Sequence, residues 1–182
     1  MKIEKTEFRD LVIIEPDVFS DDRGYFFEPF NEAKFRIETG FNLTFVQDNE
    51  SMSRKNVLRG LHFQVPPKAQ AKLIRVTSGA VLDVVVDLRR FEPTFGKHFK
   101  IELSASNMKQ LFIPEGFAHG FLVLVENSVF AYKCTNYYSK EFDRSVVWND
   151  ADLAINWEIE LPLLSDKDRN AMKFSAFETP FL

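Results

Sequence analysis

Twenty residues at 57–76, VLRGLHFQVPPKAQAKLIRV, hold Arg59, His62, Gln64, Lys68, Lys72 and Arg75 among apolar neighbours. Leu58, Leu61, Phe63 and Val65 mark an extended start, and Leu73, Ile74 and Val76 an extended end. Pro66-Pro67 and the polar KAQAK run read as a turn between two strands. That reading puts His62 and Lys72 on neighbouring strands, both able to point into one cavity. A base and a cation facing one pocket suit proton removal from an acidic carbon, or the holding of an anion. An edge hairpin with a solvated cationic face has the same pattern, because charged strand residues usually face water. The stretch alone leaves both readings open.

Two further histidines complete the set. His98 lies beside lysines in GKHFKIEL and reads as a surface residue. His119, like His62, sits in an apolar, β-like context near a turn. A lone buried histidine is more often a hydrogen-bonded core residue than a catalyst. Two of them in such a context make a functional site a serious alternative. The single cysteine, Cys134, excludes an internal disulfide framework and a cysteine-based metal cluster, and reads as a buried structural thiol.

The elements that must position these groups are short and extended. Strands are expected at Leu11–Ile14, Tyr25–Phe30, Ala80–Leu88, Lys97–Leu103, Leu111–Ile113, Phe121–Val125, Val129–Asn136 and Ser145–Trp148, besides the two flanking Pro66-Pro67. Ser20–Gly24 is a turn signal, Phe41–Gln47 is extended, and Asp48–Asn56 reads as a polar loop. Asn31 caps a helix over Glu32–Thr39 with Gly40 past its end, and a second short helix is expected from Ser165. The chain has 20 Phe and only 7 Gly, and so many aromatics on short segments favour a β core. There is no βαβ alternation, repeat or linker-like break. The expectation is one domain over 1–182, an all-β antiparallel barrel or jelly roll with a few short peripheral helices.

A net charge of −4 gives no electrostatic case for nucleic acid as a partner. The charged start, MKIEKTEFRD, has no apolar signal core, and the longest apolar run, near 120–125, is far too short to span a membrane. With one cysteine, this points to the cytoplasm and to no membrane partner.

The stretch Ile113-Pro114-Glu115-Gly116-Phe117-Ala118-His119 resembles the second motif of the cupin superfamily. The first cupin motif offers two histidines one residue apart and then a glutamate, whereas here Gly60-Leu61-His62-Phe63-Gln64 has Gln64 in place of the second. Two histidines without that pair and carboxylate do not make a transition-metal set of three or four ligands. The expectation is a metal-free, cofactor-free cupin with His62 available as a base.

Four stretches in order then resemble the dTDP-4-dehydrorhamnose 3,5-epimerase family: Phe45–Asn49, Leu58–Gln64, Pro114–Phe121 and Tyr132–Tyr138. The resemblance runs from about Arg23 to about Asp168 and implies a nucleotide-linked 4-keto-6-deoxy sugar as substrate. The ketone acidifies the hydrogens on C3 and C5, so a base can form an enolate and an acid across the ring can reprotonate it with inversion. The resemblance implies that His62 is the base, Tyr132 the opposed acid and Lys72 the cation at the ketone oxygen. One such donor is typically worth roughly 2.7–4 kcal/mol of barrier. It implies that Asp168 orients His62. Spacing alone favours a different role for Asp168, because Ser165-Asp166-Lys167-Asp168 has the form of a helix capping box.

The resemblance further implies that Arg23, Arg59 and Lys167 bind the diphosphate or sugar. Glu28, Gln47 and Asn49 would supply polar contacts, Tyr138 would stack on the thymine, and Phe26 would pack alongside. His119 is implied as a pocket residue rather than a second base. Asp143 stands where a glutamate is expected. The 23–28 strand is implied to serve the pocket of a second copy, which makes the chain a homodimer. The alternative activity is single-centre epimerisation, or ketoisomerisation, of a related dTDP-4-keto-6-deoxy sugar.

Overall fold

The computed structural model describes Met1–Leu182. In chain order the elements begin with β1 (Lys2–Lys5), β2 (Val12–Glu15), β3 (Val18–Asp21), β4 (Gly24–Phe27) and α1 (Glu32–Thr39). Next come β5 (Gln47–Ser53), β6 (Leu58–Gln64), β7 (Lys72–Ser78), β8 (Ala80–Asp87) and β9 (His98–Ser104). The rest are β10 (Gln110–Ile113), β11 (Phe117–Val123), β12 (Ser128–Cys134), β13 (Asp143–Ser145) and α2 (Asp166–Arg169), with a 3₁₀ turn at Phe174–Ala176. One antiparallel sheet has the order β1-β2-β10-β7-β12-β5 and the other β13-β6-β11-β8-β9. The β3–β4 hairpin pairs with neither. This is the all-β, cupin-type arrangement that the sequence led us to expect.

Strand alternation sorts the side chains into three apolar layers. Ile74, Val76, Leu111, Ile113 and Phe130 of the larger sheet meet Val81, Val85, Leu103, Phe121 and Val123 of the smaller one in the barrel interior. On the outer face of the smaller sheet, Leu58, Leu61, Phe63, Val84, Val86 and Leu122 pack under Leu153, Trp157 and Phe181 from the C-terminal segment. On the outer face of the larger sheet, Val12, Ile14, Leu73 and Phe112 are covered by Phe35 of α1 and by Phe30, Phe41 and Phe45. With both faces covered, β8 reads as a nearly continuous apolar run. In it Val81, Asp83 and Val85 share the inward parity, while Val84 and Val86 point outward.

Several local expectations change. His62 and Lys72 are not on neighbouring strands: β6 and β7 lie in opposite sheets, and Pro66-Pro67 belongs to the crossover between them. The edge-hairpin reading fails with it. Residues 47–53 form β5 rather than a loop, pairing with β12 from Ser128↔Ser53 to Cys134↔Gln47. Their polar, alternating pattern conceals a strand because the inward positions line a cavity instead of an apolar core. The strand expected at Ser145–Trp148 is found at Asp143–Ser145, and β11 begins early enough to include His119. Strands β1 and β3 lacked an apolar signal, and β3 is exposed along its whole length. His98 is not a free surface side chain. It is half-buried, with Nδ1 3.1 Å from the Leu153 carbonyl oxygen. Both helices are as read: the Asn31 side chain accepts from Lys34 N, Gly40 has φ +76°, and Ser165 caps α2.

The pairing of β6 with β11 shifts register. His62 is opposite His119, but Arg59 is opposite Phe121, so β6 spends three residues where β11 spends two. The extra residue is a bulge, and it returns Arg59 and His62 to the same inward face. Gly60, at φ +137°, sits in it, and a Cβ there would lie 2.4 Å from Gly120 Cα. A Cβ on Gly120 would lie 2.7 Å from the Arg59 carbonyl oxygen. Gly120→Ala should therefore cost about 1–3 kcal/mol by overpacking. Chemical denaturation checks the cost, and an unchanged midpoint would contradict the close crossing.

Candidate active site

A cavity of about 350 Å³ lies between the two sheets. β6 contributes His62 and Arg59, β7 Lys72, β11 His119, and β12 Tyr132 and Cys134. β5 adds Gln47 and Asn49, and the rim carries Tyr138, Asp143 and Lys167. Ten of the fourteen candidate residues thus meet at one opening. An eleventh, Asp168, stands behind the wall, where it contacts His62.

The His62–Asp168 pair joins the barrel to the C-terminal segment. Leu58 N donates to the Leu163 carbonyl at 3.0 Å, and Leu163 N to the Asn56 carbonyl at 2.8 Å. These bonds bring α2 alongside β6, where His62 Nε2 meets Asp168 Oδ1 in a short hydrogen bond. The other carboxylate oxygen accepts from Ser165 Oγ at 2.8 Å, and Asp168 N donates to that hydroxyl at 3.1 Å. One side chain thus contacts both the capping residue Ser165 and His62. Burial alone would raise its carboxyl. The hydrogen bond and charge of His62, with help from Ser165 and Lys167, instead hold it below the usual carboxylate range. An ionised Asp168 only accepts, so Nε2 carries the ring proton and Nδ1 keeps the free lone pair.

The other walls carry a cation and a phenol. Burial holds the Lys72 ammonium below the usual lysine range, with Cys134, Asp143 and Asp83 favouring the charged form and Lys167 opposing it. Burial likewise raises the Tyr132 phenol, with Cys134 and Asp143 adding to the shift and Arg59 opposing it, so it stays protonated at neutral pH. Arg59 donates from Nε and Nη2 to Ser53 Oγ at 3.1 and 3.0 Å, which aims it from β6 along the cavity wall. Gln47 Nε2 donates to Asn49 Oδ1 at 2.9 Å, and Asn49 Nδ2 to the buried Cys134 sulfur at 3.7 Å. At the rim Lys167 Nζ and the Tyr138 hydroxyl both donate to Asp143 Oδ2, at 2.5 and 3.2 Å.

Three candidates are elsewhere in the chain. Arg23 pairs with Asp21 at the tip of the β3–β4 hairpin, Phe26 is 67% exposed on it, and Glu28 pairs with Lys34. They reach no part of this cavity within one chain.

The sequence reading gave three supporting residues no role in the site. Gln64, where a cupin places a metal histidine, donates to the Lys68 carbonyl at 2.6 Å and accepts from Ser139 N at 2.6 Å. It ties down the loop that carries Tyr138. Ser165 holds Asp168. Asp83, fully buried, meets His119 Nε2 at 2.9 Å through Oδ2. Its signal was a carboxylate inside a Val-rich strand, which is costly unless partnered. Each facing histidine thus turns to its own carboxylate, and no three His, Cys, Asp or Glu side chains come together as a metal-ligand set.

Asp168→Asn should keep the fold while removing the negative charge beside His62 Nε2. We expect turnover to fall by roughly 10²–10⁴. Because the folded pKa of Asp168 is lowered, its stabilising contribution is full above the unfolded pKa of about 4 and is lost as pH falls through the folded one. Melting curves of wild type and variant should converge in acid. A constant gap between them would contradict the assignment.

A family model described as dTDP-4-dehydrorhamnose 3,5-epimerase matches residues 5–176. The protein of that name from Shigella flexneri is 52% identical over 174 residues, spanning 96% of each chain. The crystal structure of dTDP-4-dehydrorhamnose 3,5-epimerase from Elizabethkingia anophelis superposes with a TM-score of 0.92 at 54% identity, covering 96% of this chain and 97% of that one. That of dTDP-6-deoxy-D-glucose-3,5-epimerase from Legionella pneumophila, in complex with dTDP-4-keto-L-rhamnose, gives a TM-score of 0.93 at 44% identity, covering 97% and 94%. The family model and these relatives match the chain along nearly its whole length, and the chain belongs to the dTDP-4-dehydrorhamnose 3,5-epimerase family.

Proposed function

We propose that this chain inverts C3 and C5 of dTDP-4-dehydro-6-deoxy-D-glucose to give dTDP-4-dehydro-L-rhamnose, as a step of dTDP-L-rhamnose synthesis. The observation that carries this reading is the convergence of His62, Lys72 and Tyr132 on one cavity, with Asp168 bonded to His62.

The C3 and C5 hydrogens are acidic because each flanks the C4 ketone. His62 Nδ1 takes the proton, the C–H electron pair moves into the new C=C bond, and the carbonyl pair moves onto oxygen as an enolate. The Lys72 ammonium stabilises that oxygen. The Tyr132 phenol, kept protonated by burial, returns a proton to the opposite face of the carbon, and the centre is inverted. His62 leaves the step as imidazolium, stabilised by Asp168. Every part of this is an acid–base step, and the two histidines with separate carboxylates favour a cofactor-free reaction.

Arg59 and Lys167 suit the diphosphate as charge-assisted donors, and Tyr138 suits stacking on the thymine. Asp143 orients both Lys167 and Tyr138. Gln47 and Asn49 suit the sugar hydroxyls. The β3–β4 hairpin, with Phe19, Tyr25 and Phe26 all more than 60% exposed, supports a homodimer in which Arg23, Phe26 and Glu28 reach the partner's cavity. No helix is long and apolar enough to cross a membrane, in keeping with a cytoplasmic enzyme.

Incubation of the dTDP-4-keto-6-deoxy sugar in heavy water tests the activity. Wild type should place deuterium at both C3 and C5, and His62→Ala should slow both exchanges by roughly 10²–10⁴. Tyr132→Phe should still exchange but lose inversion. Deuterium at a single carbon would instead identify a mono-epimerase, and none would identify a binding protein.

A further inference from the structure

The loop between β12 and β13 is irregular, and its Tyr137 and Tyr138 are 62% and 59% exposed. Side chains that bury so little hold a loop weakly, so its backbone bonds decide whether it keeps one shape. Three glutamines supply those bonds. Gln64 of β6, only 4% exposed, is the centre of the set. Its Oε1 accepts from Ser139 N at 2.6 Å, and its Nε2 donates to the Tyr137 carbonyl at 3.2 Å. One amide therefore grips the residues on both sides of Tyr138. Nε2 also donates to the Lys68 carbonyl at 2.6 Å, in the crossover from β6 to β7. Gln70, from the same crossover, donates to the Asn136 carbonyl at 2.7 Å. Gln47 of β5 accepts from Tyr138 N at 3.0 Å. Both N–H donors of Gln64 are spent on backbone oxygens, so the residue lines the cavity but has no donor left for a ligand.

We propose that Gln64 is the positioning residue for Tyr138: its buried amide brackets the tyrosine and presets the aromatic face on which the nucleobase of the substrate rests. This rests on Tyr138 being the stacking residue. A loop ordered before binding does not have to be ordered by the ligand, so the gain falls on affinity. Gln64 stands two residues past His62 on β6, yet its hydrogen bonds run to the loop and the crossover, and none to His62, Lys72 or Tyr132. Its loss therefore weakens capture of the nucleobase and leaves proton transfer to the other walls of the cavity. The residue type follows from the same bonds. A neutral imidazole at this position would offer one donor and one acceptor, whereas the loop and crossover take two donors and an acceptor.

The test compares wild type, Gln64→Met, Tyr138→Ala and the double variant. Steady-state kinetics give kcat and KM, and calorimetry gives the affinities for dTDP and for inorganic pyrophosphate. Gln64→Met should raise KM and weaken dTDP binding by roughly tenfold or more, with kcat within about threefold and pyrophosphate affinity within about twofold. Because Gln64 acts through Tyr138, the double variant should bind dTDP as Tyr138→Ala does alone. Tyr138→Ala at full dTDP affinity would overturn the stacking role of the tyrosine itself. A weakened Tyr138→Ala beside a Gln64→Met variant of unchanged affinity would overturn the present inference alone. So would losses that add in the double variant, or an equal loss for pyrophosphate. Should Gln64→Met fail to fold, hydrogen exchange of the ligand-free wild type decides. The Ser139 amide should exchange roughly a hundredfold or more slowly than a free peptide amide, and exchange at the free rate would overturn the proposal.

Discussion

Strands β6 and β11 cross so closely at Gly60 and Gly120 that neither position has room for a Cβ. The site depends on this contact. The close approach accommodates an extra residue in β6, and that residue changes which side chains face inward. Leu58 and Leu61 both pack on the outer face despite their odd spacing, and Arg59 and His62 both face the cavity for the same reason. The bulge thus lets one strand serve an apolar layer and a polar chamber together.

The chamber combines polar side chains with burial of several of them. Lys72, His119, Asp83, Tyr132 and Cys134 are all shifted first by burial, each toward its neutral form. In such surroundings a single compensating charge has more effect than it would in water. The phenol remains an acid and His119 remains a neutral imidazole, while Asp143 and Asp83 favour the charged form of Lys72 against its burial. Phe121 and Phe130 stack at 4.2 Å in the cavity wall, and Gln64 anchors the Tyr138 loop at the mouth.

The C-terminal segment completes what the sheets begin. Leu153, Trp157 and Phe181 cover the outer apolar layer, and that packing brings α2 to the edge of β6. Ser165 then caps a helix of one turn and hydrogen-bonds Asp168 in the same place. A four-residue helix has little stability of its own, so the carboxylate behind His62 is held by the burial of the segment around it.

Much was legible in the residues themselves. The density of short aromatic and β-branched segments, with Gly and Pro between them, specifies a β barrel, because such segments are stable only when paired and covered. Both helices announced themselves through Asn31, Gly40 and Ser165, since capping is local chemistry. His62, Lys72 and Tyr132 could be named as a set only through family resemblance. Strand β5 was hidden, because period-two apolar patterning fails where a strand faces a polar cavity. Tertiary structure alone decided that His62 and Lys72 oppose each other from different sheets, that Arg59 and His62 share a face, and that Asp83 backs His119. Each of these depends on register and sheet assignment, which arise from pairings between residues far apart in the chain, and no local pattern encodes them.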